Sequence, residues 1–208
     1  IVQLSDIHAG SFDDPAAVER GIEKAMALKP DLIFFTGDLV NNLASEMEEY
    51  EKLFSKLSAP LGVYSILGNH DYGDYVGWET AELKKANLDR LKSIHSKMGW
   101  RLLLNEHVHI EKEEDRIVLI GVENWSSRAN FKKYGDLALA SQGVAAADFQ
   151  ILLSHDPSHW ETEVSTSYPS IDLTLSGHTH GMQFGVELPG LRWSPVQYVY
   201  RRWAGHYQ

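Results

Sequence analysis

Short apolar runs alternate with amphipathic stretches through the first half of the chain. Ile1-Val2-Gln3-Leu4 reads as a strand running into Ser5-Asp6-Ile7-His8. Asp13-Asp14-Pro15 then offers an N-cap and a first-turn proline, and Val18, Ile22 and Met26 follow at helical spacing until Lys29-Pro30 ends the segment. Leu32-Ile33-Phe34-Phe35 is continuously apolar and the run stops at Gly37-Asp38, the pattern of a strand buried on both faces. The order then repeats. Residues 46–57 predict a helix with Met47, Tyr50, Leu53, Phe54 and Leu57 on one side, and Gly62 to Leu67 predicts a second buried strand ending at Gly68-Asn69-His70-Asp71. Strand, helix, strand, helix, strand implies parallel pairing through helical crossovers. A longer helix is predicted over 79–98, closed by Gly99.

The second half changes character. Residues 100–104, 107–112 and 116–122 predict short strands, with an acidic turn at Glu113-Glu114-Asp115 between the last two, as in hairpins. A short helix over 135–142 precedes two more buried strands, 149–153 and 171–175. Each runs into a histidine-bearing loop, Ser154-His155-Asp156 and Ser176-Gly177-His178-Thr179-His180. No internal repeat, low-complexity tract or domain linker interrupts this order, so one domain over 1–208 is expected. A strand at the very first residue and a sheet that would continue past the last imply a domain trimmed at one or both ends.

The chemistry collects at the strand ends, where ligands bind in open α/β sheets. The set is Asp6 and His8, Asp38, Asn69 and His70, His155, then His178 and His180. Each member alone is ordinary: an Asp after a strand is usually a turn former, and a loop His usually a surface residue. The conjunction is not ordinary, because all five strand exits carry such groups and Gly37, Gly68 and Gly177 precede three of them, where a backbone must turn or approach closely. Imidazole, carboxylate and amide without sulfur suit Mn, Fe or Zn better than Ca or Mg. Even seven of these eight as ligands exceed what one ion needs, and two ions sharing a carboxylate would account for the number.

Composition narrows the classes further. The 208 residues include no cysteine, which removes disulfide frameworks, thiolate nucleophiles and cysteine-ligated clusters. A net charge of -10 argues against a dedicated duplex nucleic-acid binder. No apolar run approaches the roughly 20 residues of a membrane span, and no signal segment opens the chain.

The ordered blocks Asp6-Ile7-His8, Gly37-Asp38, Gly68-Asn69-His70-Asp71, His155 and Gly177-His178-Thr179-His180 resemble the calcineurin-like metallophosphoesterase superfamily, over residues 1 to about 186. Ser154-His155-Asp156-Pro157 and Gly177-His178-Thr179-His180-Gly181 look most like its bacterial branch of membrane-associated phosphodiesterases and UDP-diacylglucosamine pyrophosphatases. The resemblance implies an α/β fold, a four-layer α/β/β/α sandwich of two mixed sheets flanked by helices, with the site at its rim. It implies that Asp6, His8 and His180 hold one divalent ion, that Asn69, His155 and His178 hold another, and that Asp38 bridges them. It also implies hydrolysis of a phosphodiester or phosphomonoester by hydroxide held between ions about 3.5–4 Å apart. His70 would protonate the leaving oxygen; its plainer role is to support its neighbours.

Three departures stand out. Many relatives carry a second Asp where this chain has Asn41, so the amide would orient His70 without a charge and weaker acid catalysis is expected. An Arg often follows that position; here it is Asn42, which argues against the protein serine/threonine phosphatase branch. Met182-Gln183 stands where the bacterial branch commonly has Gly-Gln, so that loop is expected to differ in shape.

Asp71 and His159 complete the expected surroundings of the site. His159 and Trp160 either border the substrate pocket or are a surface His and a core Trp. His95, His107, His109 and His206 receive no role. The tail from Trp193 sets Tyr198, Tyr200 and Trp203 beside Arg192, Arg201 and Arg202, either to pack on the sheet or to meet an anionic lipid interface as a peripheral membrane contact. The expected partner is a phosphorylated small-molecule or lipid-linked substrate, with no duplex nucleic acid and the oligomeric state open. The compartment is cytoplasmic, or membrane-associated if an anchor precedes Ile1. A non-catalytic scaffold of the same fold is the rival reading.

Overall fold

The computed structural model describes residues 1–145, 148–180 and 184–207. A first sheet carries β1 (Val2–Leu4), β2 (Ile33–Phe35), β3 (Val63–Ser65) and β4 (Arg101–Leu102) in that spatial order, all parallel. Each link holds a helix: α1 (Pro15–Ala27), α2 (Glu51–Phe54) and α3 (Ala81–Lys97). A second sheet carries β5 (Glu106–Lys112), β6 (Asp115–Gly121), β7 (Phe149–Leu153) and β8 (Leu173–Leu175), with β5 antiparallel to β6 and the rest parallel. A four-residue helix α4 (Leu137–Ala140) lies between β6 and β7. A wide turn Trp160–Val164 leads into α5 (Ser165–Ser167) before β8, and a hairpin of β9 (Val186–Leu188) and β10 (Leu191–Trp193) follows it.

Alternation along the strands sorts the side chains into layers. Ile33 and Phe35 pack with Val18, Ile22, Met47, Phe54, Leu91 and Ile94 under the helices, while Leu32 and Phe34 face Leu119, Ile151 and Leu153 between the sheets. On the far side of the second sheet, Val118, Ile120 and Leu152 bury against Leu137, Ala140 and Val164. The result is helix, sheet, sheet, helix. The second sheet is mixed, as expected; the first is parallel throughout, because every one of its links crosses back through a helix.

Asp14 caps α1 by accepting from the Ala16 N–H, with Pro15 in the first turn. Thr80 caps α3 through Leu83 N–H. The helix predicted over 46–57 is shorter and tighter: a one-turn 3₁₀ segment Ala44–Met47 precedes α2. Its apolar face is nonetheless the expected one, since Met47, Tyr50, Phe54 and Leu57 are all buried. The Glu46 carboxylate turns back to accept the N–H groups of Asn41, Asn42 and Leu43, which ties the segment's start to the preceding loop. Among the described residues, no helix is long and apolar enough to cross a membrane.

Candidate metal centre

Because β1, β2 and β3 are parallel, their carboxyl ends open at one edge, and the pairing continues past the strands. Asp6 N–H donates to the Gly37 carbonyl at 2.9 Å and His8 N–H to the Asp38 carbonyl at 3.1 Å. The second sheet is tied to the same edge: Gly177 N–H donates to the His155 carbonyl, and Gln3 Nε2 to the Ser176 carbonyl. Among the described residues eight non-glycine residues have positive φ, and five of them are Asp6, His8, Asp38, His178 and His180. Such backbone costs of order 1–3 kcal/mol per residue and persists only where surrounding contacts impose it.

Asp71 imposes it at Asp38. Its fully buried carboxylate accepts from Asp38 N at 2.9 Å, Gly68 N at 2.8 Å, Leu39 N at 2.8 Å and Val40 N at 3.3 Å, so one side chain stitches the loops after β2 and β3 together. Burial and the neighbouring Asp38 carboxylate push its pKa up, to about 7, against the pull of those donors. Gly68 lies so close to this knot that a Cβ would sit 2.2 Å from Asp38 Oδ1 and 2.6 Å from Asp38 N. At Gly177 a Cβ would lie 2.3 Å from Asp6 Oδ2.

Two groups of side chains converge at this edge. In one, ligand-capable atoms of Asp6, His8 and His180 lie within 4.8 Å of one another; in the other, those of Asp38, His155 and His178 do. Asp38 stands between them, its Oδ2 3.6 Å from His8 Nε2 and 3.1 Å from His155 Nε2. Asn69 Oδ1 is 3.2 Å from the same His155 nitrogen, while its Nδ2 donates to the Tyr75 hydroxyl at 2.9 Å, which turns the amide oxygen inward. His70 completes a further group with His8 and Asp38.

The ring nitrogens facing away from the site are fixed. His155 Nδ1 donates to the Thr36 carbonyl at 2.7 Å, His70 Nδ1 to the Asn41 carbonyl at 2.8 Å, and His8 Nδ1 meets Asn41 Oδ1 at 3.1 Å. Each Nε2 is thereby presented to the centre, the outer-shell arrangement of metal-binding imidazoles. Two observations test whether a cation fits. His8 Nε2 is buried without a hydrogen-bond partner. His155 Nε2 faces two acceptors, Asp38 Oδ2 and Asn69 Oδ1, a geometry that only a proton or a cation satisfies. Burial works against charge on His155, but Asp38 more than offsets it and lifts the imidazole pKa to about 10. Asp38 is correspondingly held below the ordinary carboxylate range: burial opposes this and His155 overrides it. The donor set fits divalent transition ions.

Not every expectation stands as written. Asn41 does orient His70, but through its backbone carbonyl; its amide is taken by His8 and by Ser11. His159 does not lie on the surface. It is fully buried, its Nδ1 2.8 Å from Ser154 Oγ and its ring stacked 4.2 Å from Trp125, and burial lowers its pKa to about 4. His95 is also a core residue, 2.9 Å from Ser65 Oγ and packed against Trp100. Met182-Gln183 lie outside the described residues. The tail packs with Trp203 buried and Arg202 paired with Glu161 over the Trp160 ring, whereas Tyr198 points outward. Sequence reasoning missed Tyr75, whose ring lies 4.6 Å from His70, and gave Tyr200, 2.6 Å from His178 Nε2, only to the tail. No local pattern marks either, because both arrive from loops.

Known proteins are similar to this chain. A transmembrane protein with metallophosphoesterase domain from Danio rerio is 32% identical over 88% of this chain and 40% of its own length. The UDP-2,3-diacylglucosamine pyrophosphatase LpxG of Chlamydia trachomatis is 28% identical over 91% of this chain and 65% of its own. The chain thus spans less than two thirds of these relatives. Among solved structures, the phosphopantetheinyl hydrolase PptH of Mycobacterium tuberculosis shares the fold, with a TM-score of 0.50 and 14% identity over 91% of this chain and 86% of that one. The profile of the calcineurin-like phosphoesterases matches residues 1–182, from β1 through the turn that bears His178 and His180, and the chain belongs to that family.

Proposed function

We propose that this chain is a dinuclear metal-dependent phosphoesterase, with Asp6, His8 and His180 holding one ion, Asn69, His155 and His178 the other, and Asp38 bridging. The observation that carries this reading is the Asp38 carboxylate, placed between His8 of one group and His155 of the other. Divalent ions, when bound, supply a polarised phosphoryl oxygen and an acidified water.

The chain's own residues do the rest. Asp38, 1% exposed, is anchored through its Oδ1 by the His70 N–H at 2.9 Å, leaving Oδ2 for the centre. His70, whose Nδ1 proton is committed to the Asn41 carbonyl, can take a second, transferable proton only at Nε2, beside the centre and edge-on to His8 at 4.7 Å. There it donates to the leaving oxygen. Tyr75 covers one face of the His70 ring and orients Asn69.

A small nucleotide-linked or lipid-linked phosphodiester is the substrate class we favour. Two features support it: the chlamydial relative is named for a diacylglucosamine substrate, and the segment after His180 exposes Phe184, Val186, Leu188, Trp193 and Tyr198. The same surface supports a peripheral membrane contact.

Hydrolysis of bis(p-nitrophenyl) phosphate and of p-nitrophenyl phosphate with added Mn²⁺ tests the reading and separates diesterase from monoesterase. Turnover abolished in Asp38→Ala supports it; no turnover with Mn²⁺, Fe²⁺ or Zn²⁺ across neutral to alkaline pH favours the scaffold. His70→Ala is expected to bind both ions and to lose rate chiefly on esters with poor leaving groups. Loss of an ion instead would make His70 a ligand.

A further inference from the structure

We infer that Tyr200 is a positioning residue for the metal centre, its hydroxyl holding the His178 ring against the buried Asp156 carboxylate, so that docking of the tail sets half of the site. The inference rests on the phosphoesterase reading. It concerns a residue beyond the segment matched by the family profile, which ends at residue 182.

The Tyr200 hydroxyl lies 2.6 Å from His178 Nε2 and 3.4 Å from Asp156 Oδ2, and the direct separation of His178 Nε2 from that oxygen is 3.6 Å. Asp156 is fully buried, with its other oxygen accepting Ser158 N–H at 2.7 Å. We take the chain to run towards the carboxylate, which only accepts: Tyr200 donates to Asp156, and His178 Nε2–H donates to Tyr200. The nitrogen left with a lone pair for an ion is His178 Nδ1. The hydroxyl therefore selects both the tautomer and the orientation of the ring.

The tail is built to hold that hydroxyl in place. Arg128 lies over the Tyr200 ring at 4.3 Å and donates to the Val199 carbonyl. Trp203 is buried, and its carbonyl accepts Thr179 Oγ1 at 2.7 Å, so the tail grips the residue next to His178 as well. Other anchors of the turn are the His178 N–H, which goes to Asp6, and Phe131, which packs edge-on to the His178 ring at 5.0 Å.

The test is a calorimetric titration of Mn²⁺ into the 208-residue chain and into Tyr200→Phe, with kcat and KM for bis(p-nitrophenyl) phosphate at limiting and saturating Mn²⁺. Phenylalanine keeps the ring and its Arg128 contact and removes only the hydroxyl. One of two binding events is expected to weaken by about 10- to 100-fold, as for loss of an outer-shell partner, with the other unchanged. The kcat at limiting Mn²⁺ falls and saturating Mn²⁺ restores it, while KM moves little. Tyr168→Phe, whose ring packs on the outer core of the second sheet, changes none of these. Two unchanged binding events, or equal weakening of both, overturn the inference and leave the phosphoesterase reading intact. A parent chain that binds no Mn²⁺ overturns both.

Discussion

The loops after β2 and β3 and the turn at His178 to His180 contribute to one centre but are held in different ways. The first pair is knotted from inside by Asp71, a fully buried carboxylate spanned by four backbone N–H groups. The second is held from outside: Asp6 takes the His178 N–H, and Tyr200 and Trp203 of the tail grip the side chains. Burial follows the same division, with Asp38 at 1% side-chain exposure against 32% for His180. One region is organised by the backbone before any ion arrives. The other depends on side chains that can come and go, so the two should respond unequally to substitution.

Asp71→Ala should break that comparison open with the largest effect. It strands several buried N–H groups, and a loss of about 3–5 kcal/mol in urea unfolding is expected at mildly alkaline pH, together with loss of Mn²⁺ binding. Tyr200→Phe should cost under about 1 kcal/mol. Equal losses would erase the distinction.

Glycine substitutions give the next largest contrast. In Gly68→Ala the new methyl meets rigid backbone at Asp38 N, so overpacking of about 1–3 kcal/mol is expected. In Gly177→Ala it meets the side chains of Ser5 and Asp6, which can move. The second variant should therefore keep more stability yet lose affinity at the Asp6, His8 and His180 group, as read by thermal melting and Mn²⁺ calorimetry. A Gly177→Ala variant less stable than Gly68→Ala would show that the turn is the stiffer region.

A pH-dependent effect lies outside both regions and serves as their reference. Burial lowers the pKa of His95 to about 3, against about 6.5 when unfolded. Its neutral-form stability is complete above 6.5 and is lost as pH falls toward 3, because the unfolded chain then binds the extra proton. Near pH 5.5 the cost is about 1 kcal/mol. His95→Gln should flatten that part of the Tm against pH curve. A curve of unchanged slope would remove His95 from the account.

What was legible in the sequence followed from periodicity. Leu32 to Phe35 announces a strand buried on both faces because alternate residues serve two different layers, and the α1 stripe of Val18 and Ile22 needs only its cap to be read. The burial of His95 was also readable, since it falls among Leu91, Ile94 and Met98 at helical spacing. The candidate ligands were legible because strand ends concentrate them. Their supports were legible only in part: Asp71 and Asn41 were expected beside the site, but not that Asp71 acts on backbone donors or that Asn41 uses its carbonyl instead of its amide, and Tyr200 reaches His178 only through the packing of Trp203. The β9 to β10 hairpin and the wide turn at Trp160–Val164 have no clear period and went unread.

The central claim is that Asp38 lies between two ion sites. Anomalous diffraction from crystals grown with Mn²⁺ measures this directly. The account predicts two peaks roughly 3.5–4 Å apart, one among Asp6, His8 and His180 and one among Asn69, His155 and His178, with the Asp38 carboxylate touching both. A single peak, or two that do not share Asp38, would contradict it.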